Sequence, residues 1–151
     1  MPYNFDTVAH GYDRMNRLMT FGLDRRWRKH TVRGLQGEVL DVACGTGDMA
    51  QLLATQGCHV TGIDLSEEML NIARCKTVSC KPTLHFQLGD AENLPFAGAT
   101  FDAVVCAFGV RNFVHLEQGL AEMLRVLKPD GRMVILELAT PDCLMVCPVY
   151  N

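Results

Sequence analysis

Asp41-Val42-Ala43-Cys44-Gly45-Thr46-Gly47-Asp48 is the stretch that decides the fold. It continues the short apolar run Val39-Leu40-Asp41-Val42-Ala43, which ends at glycines as a buried parallel strand does. Behind it, a Gly-x-Gly turn leads into a segment of helical pattern, from Asp48 to Gln56. Glycines at such a turn let the backbone bend tightly and approach a ligand closely. The free N–H groups at the start of the helix favour an anionic or carboxylate-bearing group. Taken alone the stretch is ambiguous, because Gly45-Thr46-Gly47-Asp48-Met49-Ala50 also satisfies G-x-G-x-x-G/A, the dinucleotide fingerprint.

Outward from this point the same alternation repeats. Strands are expected at His59-Val60-Thr61-Gly62-Ile63, Thr83-Leu84-His85-Phe86-Gln87, Phe101-Asp102-Ala103-Val104-Val105-Cys106, and from Arg132 to Leu138. Ser66-Glu67-Glu68 opens a helix, with Ser66 as N-cap and acids in the first turn. A second amphipathic helix runs from His115 to Leu127, where Lys128-Pro129-Asp130-Gly131 stops it and turns the chain. Residues 1–36 read as two or three short helices. Strands alternating with helices imply βαβ units with right-handed crossovers. The expected fold is therefore α/β: a Rossmann-like, doubly wound parallel sheet of about five strands in the order 3-2-1-4-5, preceded by N-terminal helices. It divides into an N-terminal helical segment (1–36), a Rossmann-like unit (37–139) and an apolar tail (140–151), together one compact domain.

Composition narrows the function. The 151 residues carry a net charge of −3, with 48% hydrophobic and 21% charged residues, as in an ordinary soluble domain. No basic excess points to nucleic acid. The densest basic stretch, Arg25-Arg26-Trp27-Arg28-Lys29, is read as the solvated face of a helix. Seven cysteines without a CxxC pair argue against both a complete disulfide framework and a zinc site. With no signal peptide and no apolar run of membrane-spanning length, the expected location is cytoplasmic.

Asp64, at the end of the second strand, can accept hydrogen bonds from two ribose hydroxyls, whether of NAD or of S-adenosylmethionine. Asp41 separates the two. Beside a pyrophosphate it would be repulsive, whereas an ammonium would attract it. Asp90, after the third strand, can accept from an adenine amino group, or it can serve as a turn residue or N-cap.

The combination Val39–Gly47, Gly62-Ile63-Asp64-Leu65-Ser66-Glu67-Glu68-Met69-Leu70, Leu94-Pro95-Phe96 with Phe101-Asp102, and Val126-Leu127-Lys128-Pro129-Asp130-Gly131 resembles the class I methyltransferases. Phe108-Gly109-Val110-Arg111-Asn112-Phe113 resembles more narrowly the ubiquinone/menaquinone biosynthesis C-methyltransferases. So do Val8 to Leu23 with Trp27-Arg28, Glu137-Leu138 and Pro148-Val149-Tyr150-Asn151. That resemblance implies S-adenosylmethionine as cofactor and a lipophilic, polyprenylated quinol as substrate, methylated at a ring carbon. The cofactor residues it implies are Asp41, Gly45, Thr46, Gly47, Asp64, Leu65, Met69, Asp90, Ala91 and Ala107. Ala107 stands where relatives carry Ser, so a hydroxyl contact is lost there. Tyr12, Arg111 and Asn112 fall at the quinol end. Each also has a purely structural role open to it: Tyr12 as a helix aromatic, Arg111 in a surface ion pair, Asn112 as a turn residue.

A quinol ring becomes strongly nucleophilic when its hydroxyl ionises, so the protein's task is alignment and exclusion of water. Arg111 would stabilise the phenolate, and Asn112 with Tyr12 would hold the hydroxyl or a water; no strong base stands out. Class I methyltransferases usually add an antiparallel hairpin after the fifth strand. The residues after Leu138 do not supply it, and the chain is expected to be truncated there. A fifth strand left as an edge favours a homo-oligomer, and the quinol favours peripheral contact with a membrane. A cofactor-binding but inactive fragment and a nicotinamide-dependent oxidoreductase are the other functions open.

Overall fold

The computed structural model describes residues 23–77 and 83–138. Tyr12, the opening helices before Leu23 and the apolar tail lie outside the described residues. Helix α1 (Leu23–Thr31) leads to strand β1 (Glu38–Val42), α2 (Asp48–Thr55), β2 (His59–Asp64), α3 (Glu67–Thr77), β3 (Leu84–Leu88) and β4 (Phe101–Ala107). A 3₁₀ turn (Val110–Asn112), α4 (Leu116–Val126) and β5 (Leu127–Leu136) complete the described order.

The strands form one sheet in the order β3-β2-β1-β4-β5, every neighbouring pair parallel. This is the expected order. β1 lies at the centre with both of its faces covered: residues 39–42 are all buried, Asp41 among them, and Leu40 pairs with Thr61 on one side and Val104 on the other. One core layer joins Val39, Val60 and Val105 to Val32 and Leu35 beyond α1 and to Met49 and Leu53 of α2. The opposite layer joins Leu40, Val42 and Val104 to Met123 and Val126 of α4 and to Ala91 and Leu94 of the loop after β3. Each fully buried Val or Leu contributes roughly 2 kcal/mol, so the central strand holds both helix layers.

Helix α3 starts as expected. Ser66 Oγ accepts the Met69 N–H at 3.2 Å, capping an otherwise unpaired donor. The end of α4 differs from expectation. The helix stops at Val126, before Pro129, and the chain goes straight into β5 rather than into a free turn. Leu127 pairs with Phe101 and Arg132 with Ala103, so residues 128–131 bulge out opposite the single residue Asp102. Asp102 holds the bulge in place: it accepts from Lys128 Nζ at 2.7 Å and from the Glu38 N–H at 2.8 Å. The expected turn chemistry is thus absorbed into the sheet as an irregularity.

Candidate active site at the carboxyl ends of the strands

The strand order reverses between β1 and β4, and the carboxyl ends of those strands open a crevice where such sheets bind ligands. The turn after β1 is shaped by backbone need. Gly45 and Gly47 have φ of 54° and 82°, and Gly47 ends its turn directly at the start of α2. A Cβ on Gly47 would lie 2.9 Å from the Phe86 ring and 3.0 Å from Ala73, so glycine is required there twice over. Ala43 adopts φ 54° without glycine's freedom, a strain placed at the lip of the crevice.

Asp64 ends β2 and closes this turn. Its Oδ2 accepts the Gly45 N–H at 2.8 Å and its Oδ1 the Ser66 N–H at 2.9 Å. The carboxylate is therefore fixed in direction, and the first glycine's N–H is committed to it rather than to a phosphate. Leu65, next in the chain, is 70% exposed beside the crevice, whereas Met69 is buried and can only shape the wall beneath. Thr46 is buried, and its Oγ1 accepts from Lys76 Nζ at 3.1 Å; the same ammonium pairs with Asp48. Lys76 thus ties the first turn of α2 to α3.

Asp41 is the most unusual group. It sits in the central strand at 1% exposure, and its Oδ2 is buried with no hydrogen-bond partner. Burial pushes its carboxyl up to about 7; the Arg28 guanidinium works in the opposite direction, Asp64 reinforces the rise, and the Ala50 N–H lowers it by hydrogen bonding. An unpaired carboxylate oxygen in such a place costs stability unless a cation completes it.

Beyond β3, Asp90 accepts the Glu92 N–H at 2.8 Å on its Oδ1, the turn role foreseen as the alternative to adenine contact. Ala91 is buried beside it. Glu92 reaches across to the 3₁₀ turn's exit. It accepts from the Val114 and His115 N–H groups at 2.6 and 3.0 Å and lies 2.9 Å from His115 Nδ1, contacts that hold its carboxyl below the usual range. At the end of β4, Ala107 is followed by Phe108 at φ 59° and by Gly109, whose Cβ position would be 2.7 Å from Ala43 Cβ. The chain then turns through Arg111 and Asn112. Arg111 Nε lies 3.5 Å from Glu137 Oε1, and Glu137 Oε2 is buried without a partner.

With this geometry in place, comparison with known proteins is decisive. The model of the ubiE/COQ5 methyltransferase family matches residues 3–151. The chain belongs to the ubiE/COQ5 methyltransferase family. It is 44% identical to the ubiquinone/menaquinone biosynthesis C-methyltransferase of Geotalea uraniireducens, over 97% of this chain and 66% of that protein. To the demethylmenaquinone methyltransferase of Thermotoga maritima it is 45% identical, over 91% of this chain and 61% of the relative. The chain therefore spans just under two thirds of the length of these relatives. Among solved structures, the YcgJ protein of Bacillus subtilis superposes with a TM-score of 0.69 at 27% identity, covering 76% of this chain and 50% of that one. A structure titled a putative S-adenosylmethionine-dependent methyltransferase, from Methanococcus maripaludis, shares the fold with a TM-score of 0.77 at 20% identity, covering 86% and 62%.

Membership in this methyltransferase family sets aside the nicotinamide-dependent oxidoreductase. The physical reason is visible in the ubiE/COQ5 member itself: a buried acid, Asp41, stands where a pyrophosphate would need neutral or positive surroundings. Asp41, Gly45, Thr46, Gly47 and Asp64 stand in or just after β1 and β2, and Ala107, Arg111 and Asn112 at or just after the end of β4. Lys76 carries no sequence signal, since the residues it touches lie far along the chain and no local pattern marks it. Glu137 and Arg28 stand in stretches that resemble the family, but the sequence assigns neither of them a role at the site. The basic run that contains Arg28 reads as solvated. Arg25, Arg26 and Lys29 are exposed, but the Arg28 side chain is only 13% exposed and turns inward. Its spacing of four from Asp24, a buried acid, was the available signal.

Proposed function

We propose that this chain carries the S-adenosylmethionine-binding and catalytic part of a C-methyltransferase acting on a polyprenylated quinol. The observation that carries the cofactor assignment is Asp41, whose orphaned, buried oxygen beside the glycine turn fits an ammonium and opposes a phosphate. Asp64, already aimed by two backbone N–H groups, would take the ribose hydroxyls. Leu65 would cover the adenine, Thr46 and Ala91 would line its surroundings, and Asp90 would meet the adenine edge. Bound S-adenosylmethionine would supply an electrophilic sulfonium methyl.

The quinol is assigned from the names of the relatives and from the residues at the end of β4. Arg111 would stabilise the ring oxygen as it ionises, and Asn112 and Tyr12 would orient it. Glu137, paired to Arg111 on one oxygen and unpaired on the other, is the candidate to accept the hydroxyl proton. Titration calorimetry with S-adenosylhomocysteine and NADH in parallel tests the cofactor, with binding of the first alone expected. Turnover with demethylmenaquinol tests the substrate. Cofactor binding without turnover would mean that the chain is a cofactor-binding but inactive portion.

Two partners follow from the same proposal. The outward stripe of α1 carries Leu23, Arg26, Trp27 and His30, with Leu23 and Trp27 42% and 36% exposed, and the exposed Arg33 follows in the turn after the helix. A basic face with an exposed indole suits the surface of an anionic bilayer, where a polyprenylated quinol resides. No helix among the described residues is long and apolar enough to cross a membrane. We infer that the protein works at a membrane surface on the cytoplasmic side. The second partner is another copy of the chain, paired along the side of β5 that no described strand covers.

A further inference from the structure

Arg28 is an arginine on the inner side of a helix whose outer side is already basic. Its guanidinium carbon stacks 5.1 Å from the centre of the Phe108 ring. Phe108 is held by its own N–H, which donates to the Leu136 carbonyl at 2.7 Å, and by a backbone in the left-handed region. The stack therefore aims Arg28 at the end of β4, where Gly109 meets Ala43 and the crevice opens. The nearest acid on its own helix, Asp24, lies 3.9 Å from Nε, an ion pair too long to be a hydrogen bond. Nε is accordingly buried without a hydrogen-bond partner. Asp41 is the second buried group with an unpartnered polar atom at this place. The Arg28 charge acts on Asp41 more strongly than any other single charged residue does.

A largely covered cation stacked at the end of β4 and a buried anion in β1, the strand beside it, each keep a buried polar atom without a partner. A ligand group that carries both an anion and a cation a few ångströms apart would complete both, and an α-amino acid zwitterion is such a group. We propose that Arg28 and Asp41 form a two-charge receptor for the amino-acid end of the cofactor, Arg28 taking the carboxylate and Asp41 the ammonium. This rests on the assignment of the crevice to an S-adenosyl ligand and extends it to a residue of the N-terminal helix. The consequence is specificity: the crevice would select for the intact amino acid rather than for the adenosine alone. It also makes α1 part of the cofactor site, so that cofactor binding and the position of α1 are linked.

Three ligands separate the contributions by calorimetry on the full chain. They are S-adenosylhomocysteine, its decarboxylated analogue, and 5′-methylthioadenosine, which lacks the amino acid altogether. Wild-type protein should bind the decarboxylated analogue at least about tenfold more weakly than S-adenosylhomocysteine, the range for a charge-assisted hydrogen bond. Arg28→Gln should weaken S-adenosylhomocysteine about 10- to 100-fold and leave the other two within about twofold. Asp41→Asn should weaken the first two ligands and spare 5′-methylthioadenosine. Equal wild-type affinity for S-adenosylhomocysteine and its decarboxylated analogue would overturn the receptor while leaving the S-adenosyl assignment intact, and this comparison needs no variant. Loss of all three ligands in Arg28→Gln with an unchanged melting temperature would also overturn it. Failure of the wild type to bind any of the three would remove the S-adenosyl assignment itself.

Discussion

Asp41 shows how one residue can link protonation, stability and ligand affinity. Its carboxyl, near 4 in an open chain, titrates at about 7 in the fold because burial penalises the charge. For an acid raised in this way, the associated stability is fully present below the unfolded value. It is lost as pH rises through the folded value. The ligand-free protein should therefore lose stability between about pH 4 and pH 7, by on the order of 4 kcal/mol from this group alone. Thermal melts across that range should show the slope, and Asp41→Asn should remove it. A ligand ammonium reverses the preference, since it favours the ionised acid. S-adenosylhomocysteine should accordingly bind several-fold more tightly at pH 8 than at pH 6, with proton release visible as a dependence of the calorimetric heat on buffer. A flat pH profile in the wild type would refute the ammonium contact. At Asp64 the expected change is different in kind. Asp64→Ala would weaken the same ligand by about 1.5–3 kcal/mol, partly through lost ribose contact. The rest would come from release of the Gly45 and Ser66 N–H groups, and Asp64→Asn, which keeps one acceptor, should lose less.

At the scale of elements, α4 determines where the turn bearing Arg111 and Asn112 sits. Gly119, on its buried side, admits the Phe113 ring; a Cβ there would lie 2.4 Å from Phe113 Cδ2. Helix propensity alone would favour Gly119→Ala by about 1 kcal/mol. Overpacking outweighs that gain, and the variant should be destabilised by about 1–3 kcal/mol. Because Phe113 follows the 3₁₀ turn directly, quinol turnover should fall more than cofactor affinity does. Unchanged stability would show that the ring can step aside. The loop after β3 is tied to the same helix: Glu122 accepts the Leu94 N–H at 2.8 Å, while Arg125 donates to the Leu94 and Phe96 carbonyls at 3.1 and 2.8 Å. Leu94-Pro95-Phe96 was legible as a motif, but the side chains that hold it in place were not, since they come from a helix read only for its apolar stripe.

Across the whole molecule, two surfaces remain to be matched with partners. Charge on the outward face of α1 should make binding to vesicles of mixed phosphatidylcholine and phosphatidylglycerol salt-sensitive. Arg26→Glu with Arg33→Glu should abolish cosedimentation while S-adenosylhomocysteine affinity stays within about twofold, because neither side chain enters the crevice. Binding that survives both changes would place membrane contact elsewhere. β5 pairs only with β4 among the described residues, and Ile135 on it is exposed. A strand side left uncovered by the described residues favours pairing with another chain, so sedimentation at micromolar concentration should show self-association, and a stable monomer would argue against it.

What the sequence determined by itself was everything local or periodic. Five strands, their parallel sense and their order are seen in the fold, because short apolar runs alternating with helices permit few topologies. The glycine turn after β1, Asp64 at the end of β2 and the Ser66 cap were equally legible, each needing only a neighbour or two. Tertiary structure alone decided which charges face one another. Lys76 and Asp48, and Arg111 and Glu137, are distant in the chain, and a side chain's partner depends on which helix face turns inward. A run of basic residues looks uniformly solvated until packing rotates one of them, Arg28, toward a buried acid. Burial likewise could not be read from Asp41 alone: the same residue in the same motif is an ordinary carboxylate until two core layers close over the strand that carries it.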